Sequence, residues 1–104
     1  MYFLVYERRK GSDEEINDLG SLVSGITEWL GHLQQMMKRG KVVHHWGFRG
    51  QHGSVTIYDV ASGEELQEIL RKNPMDEKWV RREIYPVCTL EQEINNVSNY
   101  MTGI

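Results

Sequence analysis

His44 and His45 stand side by side in the segment Lys41-Val-Val-His-His-Trp-Gly-Phe-Arg49. Moving a proton between two carbons calls for a group that takes the proton as a base, returns it as an acid and titrates near working pH. Histidine meets that demand best. In an extended segment neighbouring side chains point to opposite faces, so at most one of the pair serves a given pocket. His44 shares its face with Trp46, and we take His44 as the candidate proton carrier and Trp46 as a pocket wall. Tyr6 and Tyr58 bear hydroxyls suited to donate to a developing enolate oxygen. Glu28, beside Trp29 and among small and apolar residues, is a carboxylate whose setting suits a raised pKa and the role of a base. Arg81 suits a substrate carboxylate, and Trp79 is a second candidate wall. Each has a plainer reading. The hydroxyls pair with backbone, Glu28 faces solvent, Arg81 pairs with Glu83, and the tryptophans belong to a core.

Metal chemistry is not expected, because adjacent histidines on a strand splay apart and His32 and His52 fall on other elements. The single cysteine, Cys88, excludes an internal disulfide framework and fits a reducing cytoplasm. Fifteen acidic residues against 12 Lys and Arg give a net charge of −3, which removes the electrostatic warrant for nucleic-acid binding. No apolar run approaches the roughly 18 residues of a membrane span, and the short apolar start before Glu7-Arg8-Arg9-Lys10 has the wrong order for a secretory signal. With 104 residues, 39% hydrophobic and 26% charged, the chain reads as one soluble domain spanning residues 1–104.

The elements that position these residues are legible in outline. Residues 1–8 form a strand that is apolar on both faces, with Tyr2, Leu4 and Tyr6 on one side and Phe3 and Val5 on the other. Ser12-Asp13-Glu14-Glu15 is a capping box opening a long helix, whose stripe of Ile16, Leu19, Leu22, Val23, Ile26, Leu30, Leu33 and Met37 faces the core. Lys38-Arg39-Gly40 ends it. Residues 41–49 form a second strand with Val42, His44, Trp46 and Phe48 on one face, and Gly50-Gln51-His52-Gly53 turns into a partner strand over 55–60. A second capping box, Ser62 to Glu65, opens a helix that Asn73-Pro74 ends. Residues 77–88 form a last strand with Trp79, Arg81, Glu83, Tyr85 and Val87 on one face, and Pro86 marks either a sheet edge or the end of the strand. A third box, Thr89 to Gln92, opens a short helix with Leu90, Ile94 and Val97 inward.

The order β-α-β-β-α-β plus a terminal helix is that of a ferredoxin-like α+β fold, with both crossover helices on one face of a four-stranded antiparallel sheet. The other face is apolar and aromatic. A patch of that kind marks association, so a homodimer built as a dimeric α+β barrel is the expected architecture.

Within residues 40–60 the chain resembles the muconolactone isomerase family, on Gly40, His44, Trp46, Gly50, Tyr58, Asp59 and Val60, and the likeness continues through Ser62, Leu66, Leu70 and Pro74. In element order it covers roughly residues 1–87. The resemblance implies intertwined dimers, often built into larger rings, with pockets between sheet and helices near subunit contacts. It also implies proton-shuttling isomerisation of a small unsaturated lactone acid, without metal or organic cofactor, and it picks out the same His44 and Trp46 pair. Two positions depart from the family pattern: a basic residue after the tryptophan and a lysine late in the first strand are here Gly47 and Tyr6. Those cations would suit a carboxylate-bearing substrate, and Arg49 compensates in part. The expected function is therefore isomerisation, or binding, of a small unsaturated acid. The alternatives are a non-catalytic ligand-binding or assembly module and a cofactor-free oxygenase of the same architecture.

Overall fold

A computed structural model describes residues 1–10, 19–74 and 80–102. Strand β1 (Tyr2–Arg9) leads to helix α1 (Leu19–Lys38), strands β2 (Val42–Gly47) and β3 (Gly53–Asp59), helix α2 (Gly63–Arg71), strand β4 (Val80–Val87) and helix α3 (Leu90–Thr102). All neighbouring strands are antiparallel, in the order β2-β3-β1-β4. This is the expected ferredoxin-like arrangement, with β4, the strand that carries Pro86, at an edge.

Local signals account for most boundaries. At the end of α1, Gly40 takes φ +75°, its N–H donates to the Met37 carbonyl at 3.1 Å, and the Lys41 N–H donates to the Met36 carbonyl at 2.9 Å. That pair of bonds closes the helix and turns the chain into β2. Ser62 caps α2 by accepting from the Glu65 N–H at 3.1 Å. At α3 the Gln92 N–H donates to Thr89 Oγ1 while the Thr89 N–H donates to Gln92 Oε1, at 3.1 and 2.9 Å. The capping box of Ser12 to Glu15 lies outside the described residues.

The core lies between one sheet face and helices α1 and α2. Phe3 and Val5 from β1, Val42 from β2 and Tyr58 from β3 meet Trp29, Leu33 and Met36 from α1 and Leu66 and Leu70 from α2. Among the described residues no helix is long and apolar enough to cross a membrane.

The structure departs from the sequence pattern at three points. First, the stripe of α1 in the core is Trp29, Leu33 and Met36, whereas Val23, Ile26, Leu30 and Met37 are exposed. The helix carries two apolar lines about a quarter turn apart, and the line holding the largest ring takes the sheet. Second, β2 is bulged between Val42 and His44, so that Val42 pairs with Tyr58 and His44 with Ile57. The extra residue reverses the alternation: Val42 and His45 face the helices, and His44 and Trp46 face away. Third, Leu90, Ile94 and Val97 do not turn inward but are 73%, 55% and 59% exposed. Helix α3 projects from the domain, giving a radius of gyration of 16.5 Å and a longest extent of 58 Å. A compact chain of this size has a radius of roughly 13 Å.

Candidate active site

A cavity of about 310 Å³ opens between α1 and one end of the sheet. Ile26, Trp29 and Leu30 form its apolar wall, and Glu7, His45, Gly47 and Ser54 line it from three strands. His52 and Gly53 border it from the β2–β3 turn, and Asn73 and Val80 from the approach to β4. An apolar enclosure with a few convergent polar groups is the usual construction of a small-molecule site.

The polar side chains are individually tethered. His45 Nδ1 lies 2.7 Å from Oγ1 of Thr56, its cross-strand partner on β3, and Thr56 is only 2% exposed. Burial holds the His45 pKa below the ordinary value of 6.5, partly offset by the nearby Glu7 carboxylate. His45 is therefore largely neutral at pH 7, the state in which imidazole is a base. Glu7 is buried and accepts from Arg82 Nη2 at 3.3 Å and from Asn73 Nδ2 at 3.4 Å. The site thus sets a neutral imidazole and a paired carboxylate against one apolar wall.

Close backbone packing forms the turn side of the cavity. A Cβ on Gly53 would fall 2.5 Å from the Glu7 carbonyl oxygen and 2.9 Å from the Phe48 ring. The absence of a side chain is what lets β1, β3 and the turn close together there. The Phe48 N–H donates to the Gly53 carbonyl at 3.0 Å and the Arg9 N–H to the His52 carbonyl at 2.9 Å.

The described residues among those expected from sequence lie elsewhere. His44 and Trp46 stack at 4.9 Å between ring centroids, with 20° between planes, on the sheet face turned away from the helices. Tyr6 lies on that face against Phe48, at 5.7 Å, and Arg81 is exposed opposite Arg8. Tyr58 is in the core, its pKa raised first by burial and then by the Glu7 charge, so its hydroxyl stays protonated. Glu28 is exposed on the outer side of α1. Trp79 lies outside the described residues. None of the other six lines the cavity. Of the histidine pair, strict alternation favours His44 over His45, and Glu7 is not among the sequence candidates although it continues the alternation of Phe3 and Val5.

Residues 26–93 match the family model of muconolactone delta-isomerase. The chain belongs to that family. The match holds Trp29, His45, Gly47, Ser54, Asn73 and Val80 of the cavity and leaves Glu7 outside. Over 44 residues the chain is 40% identical to muconolactone delta-isomerase of Acinetobacter baylyi, covering 42% of this chain and 46% of that protein. Over 57 residues it is 33% identical to muconolactone delta-isomerase 1 of Acinetobacter lwoffii, covering 55% and 58%. The chain thus spans about half the length of the curated relatives it matches.

Among solved structures, muconolactone isomerase superposes with a TM-score of 0.66 at 23% identity, covering 86% of this chain and 90% of that one. A 5-chloro-2-hydroxyhydroquinone dehydrochlorinase from Burkholderia phenoliruptrix, in complex with 2,5-dihydroxybenzoquinone, superposes at 0.60 and 17% identity, covering 88% and 98%. At these identities the likeness is one of fold. Several of the positions that carry the sequence resemblance are fold-forming here: Gly40 and Gly50 take φ +75° and +74°, Ser62 caps α2, and Leu66 and Leu70 are core.

Proposed function

We propose that this protein takes a small unsaturated lactone acid into the cavity between α1 and the sheet and isomerises it by proton transfer. The observation that carries the reading is the juxtaposition of a neutral histidine and a paired carboxylate against an apolar wall in a chain of the muconolactone delta-isomerase family. A carbonyl acidifies a neighbouring C–H; removing that proton leaves a conjugated enolate, and returning it to another carbon of the same system moves the double bond. The chemistry needs a base that becomes an acid and surroundings that exclude water. Trp29, Ile26 and Leu30 supply the apolar contact for the ring.

Binding without turnover is the second reading, favoured by Gly47, which leaves the β2 wall without a side chain where the family resemblance expects a cation. Incubation with muconolactone and a panel of related unsaturated lactones separates the two. Conversion supports the enzyme, saturable binding with no conversion supports the module, and neither refutes both.

The reading includes self-association in the cytoplasm. The sheet face bearing Leu4, Tyr6, Trp46, Ile57 and Tyr85 and the exposed stripe of α3 are two apolar surfaces without a cover among the described residues. Light scattering is expected to give at least twice the 12.2 kDa chain mass, and a monomer refutes the assembly.

A further inference from the structure

The bulge in β2 does more than turn one histidine inward; it delivers His45 to a position where both of its protonation states are supported. Its Nδ1 is engaged by Thr56 Oγ1 at 2.7 Å, which leaves Nε2 as the nitrogen available to a ligand in the cavity that His45 lines. When Nδ1–H donates to the threonine oxygen, Nε2 holds a lone pair and is a base. After Nε2 has taken a proton, the same Nδ1–H still donates to the same oxygen. Neither stage requires the ring or the hydroxyl to move, and the threonine is fixed by burial.

The charges around His45 fit the cycle. From β1, Glu7 faces it and favours the imidazolium once formed, while Arg8 and Arg9 stand at the rim of the cavity. Arg82 from β4 is bonded to Glu7, His52 borders the cavity from the turn, and the Tyr58 hydroxyl on β3 stays neutral. Among the described residues, helix α1 presents Ile26, Trp29 and Leu30. His44 has no share in this setting, because the bulge turns it to the opposite face.

We propose that His45 is the proton carrier of this cavity and Thr56 its positioning residue, acting on a ligand with a C–H next to a conjugated carbonyl. The assignment rests on the cavity being the functional site. In the first step the C–H bond breaks, its electron pair passes into the conjugated enolate, and the proton goes to His45 Nε2. In the second the Nε2–H bond breaks and the proton is returned to a carbon of the same conjugated system. Nothing is oxidised or reduced, and no co-reactant is consumed.

The test follows muconolactone in D2O by proton NMR, reading isomerised product and deuterium uptake into recovered muconolactone separately. With the wild-type chain both are expected; His45→Gln lowers both by about 100-fold, the usual scale of a lost general base. Thr56→Val is expected to lower them about tenfold and to move the acid limb of the pH profile downward, because the imidazolium loses its acceptor, while Thr56→Ser restores both. Deuterium uptake that depends on His45 without isomerisation upholds the carrier and removes the isomerase reading. Wild-type turnover that persists within threefold in His45→Gln overturns the carrier alone. Absence of both signals in the wild-type chain overturns both. Circular dichroism identifies any variant that has not folded, and for such a variant at position 45 the Thr56→Val and Thr56→Ser pair decides: equal rates overturn the assignment.

Discussion

Replacing Glu7 with glutamine should destabilise the protein out of proportion to the single atom exchanged. The Glu7 carboxylate and the Arg82 guanidinium are 3.3 Å apart, with side chains only 11% and 15% exposed. Arg82 Nε is already buried without a hydrogen-bond acceptor among the described residues, so Glu7 is the charge that justifies a guanidinium at this depth. Breaking a buried pair from one side typically costs about 3–5 kcal/mol. Glutamine keeps the volume and an oxygen for Asn73 to donate to, which puts the expected loss near the lower end, about 3 kcal/mol. An unfolding entropy of roughly 2.1 cal/mol/K per residue gives about 0.22 kcal/mol/K for 104 residues, and hence a fall in Tm of about 14 °C. Replacing both partners with methionine removes the stranded charge as well, and the double variant should lose less than Glu7→Gln alone. Thermal unfolding followed by circular dichroism at fixed protein concentration and pH 7 measures all three. A Tm within about 3 °C of wild type for Glu7→Gln, or a double variant that loses as much as Glu7→Gln or more, would refute the reasoning.

Two further outcomes follow from the same region. Gly53→Ala would drive a Cβ into the Glu7 carbonyl oxygen, which cannot swing aside, and should cost about 2–3 kcal/mol; an unchanged urea midpoint would contradict the packing. The folded chain holds the His45 pKa below its unfolded value of 6.5, so its contribution to stability is present above that value and is lost as pH falls from there through the folded pKa. Urea unfolding between pH 5 and 8 should show stability dropping on the acid side more steeply in wild type than in His45→Gln, and equal slopes would contradict it.

Much of the fold is written locally. Capping boxes at Ser62 and Thr89, the glycine stop at Gly40 and the proline in β4 each act through the few residues beside them, and the period-two run in β1 identifies the strand and its two faces. The candidate site was less legible because it depends on one irregularity. Strict alternation puts His44 with Val42, and a single bulge between them exchanges the faces of His44 and His45, so the residue chosen for chemistry and the one given the cavity are neighbours. Helix α1 posed a similar choice, since two apolar lines satisfy the same helical period and only packing against the sheet selects Trp29, Leu33 and Met36. Helix α3 shows an apolar stripe that the periodicity reads correctly but whose cover no local rule can name.

The central claim is that a small unsaturated acid is held on the helix side of the sheet. Titrating isotope-labelled protein with muconolactone and following the backbone amides tests it most directly. Saturable shifts are expected at Ile26, Gly47, Gly53 and Ser54, with the His45 side-chain resonances moving on the same curve. Shifts confined to His44, Trp46 and Tyr85 on the opposite face, or no shifts at all, would contradict it.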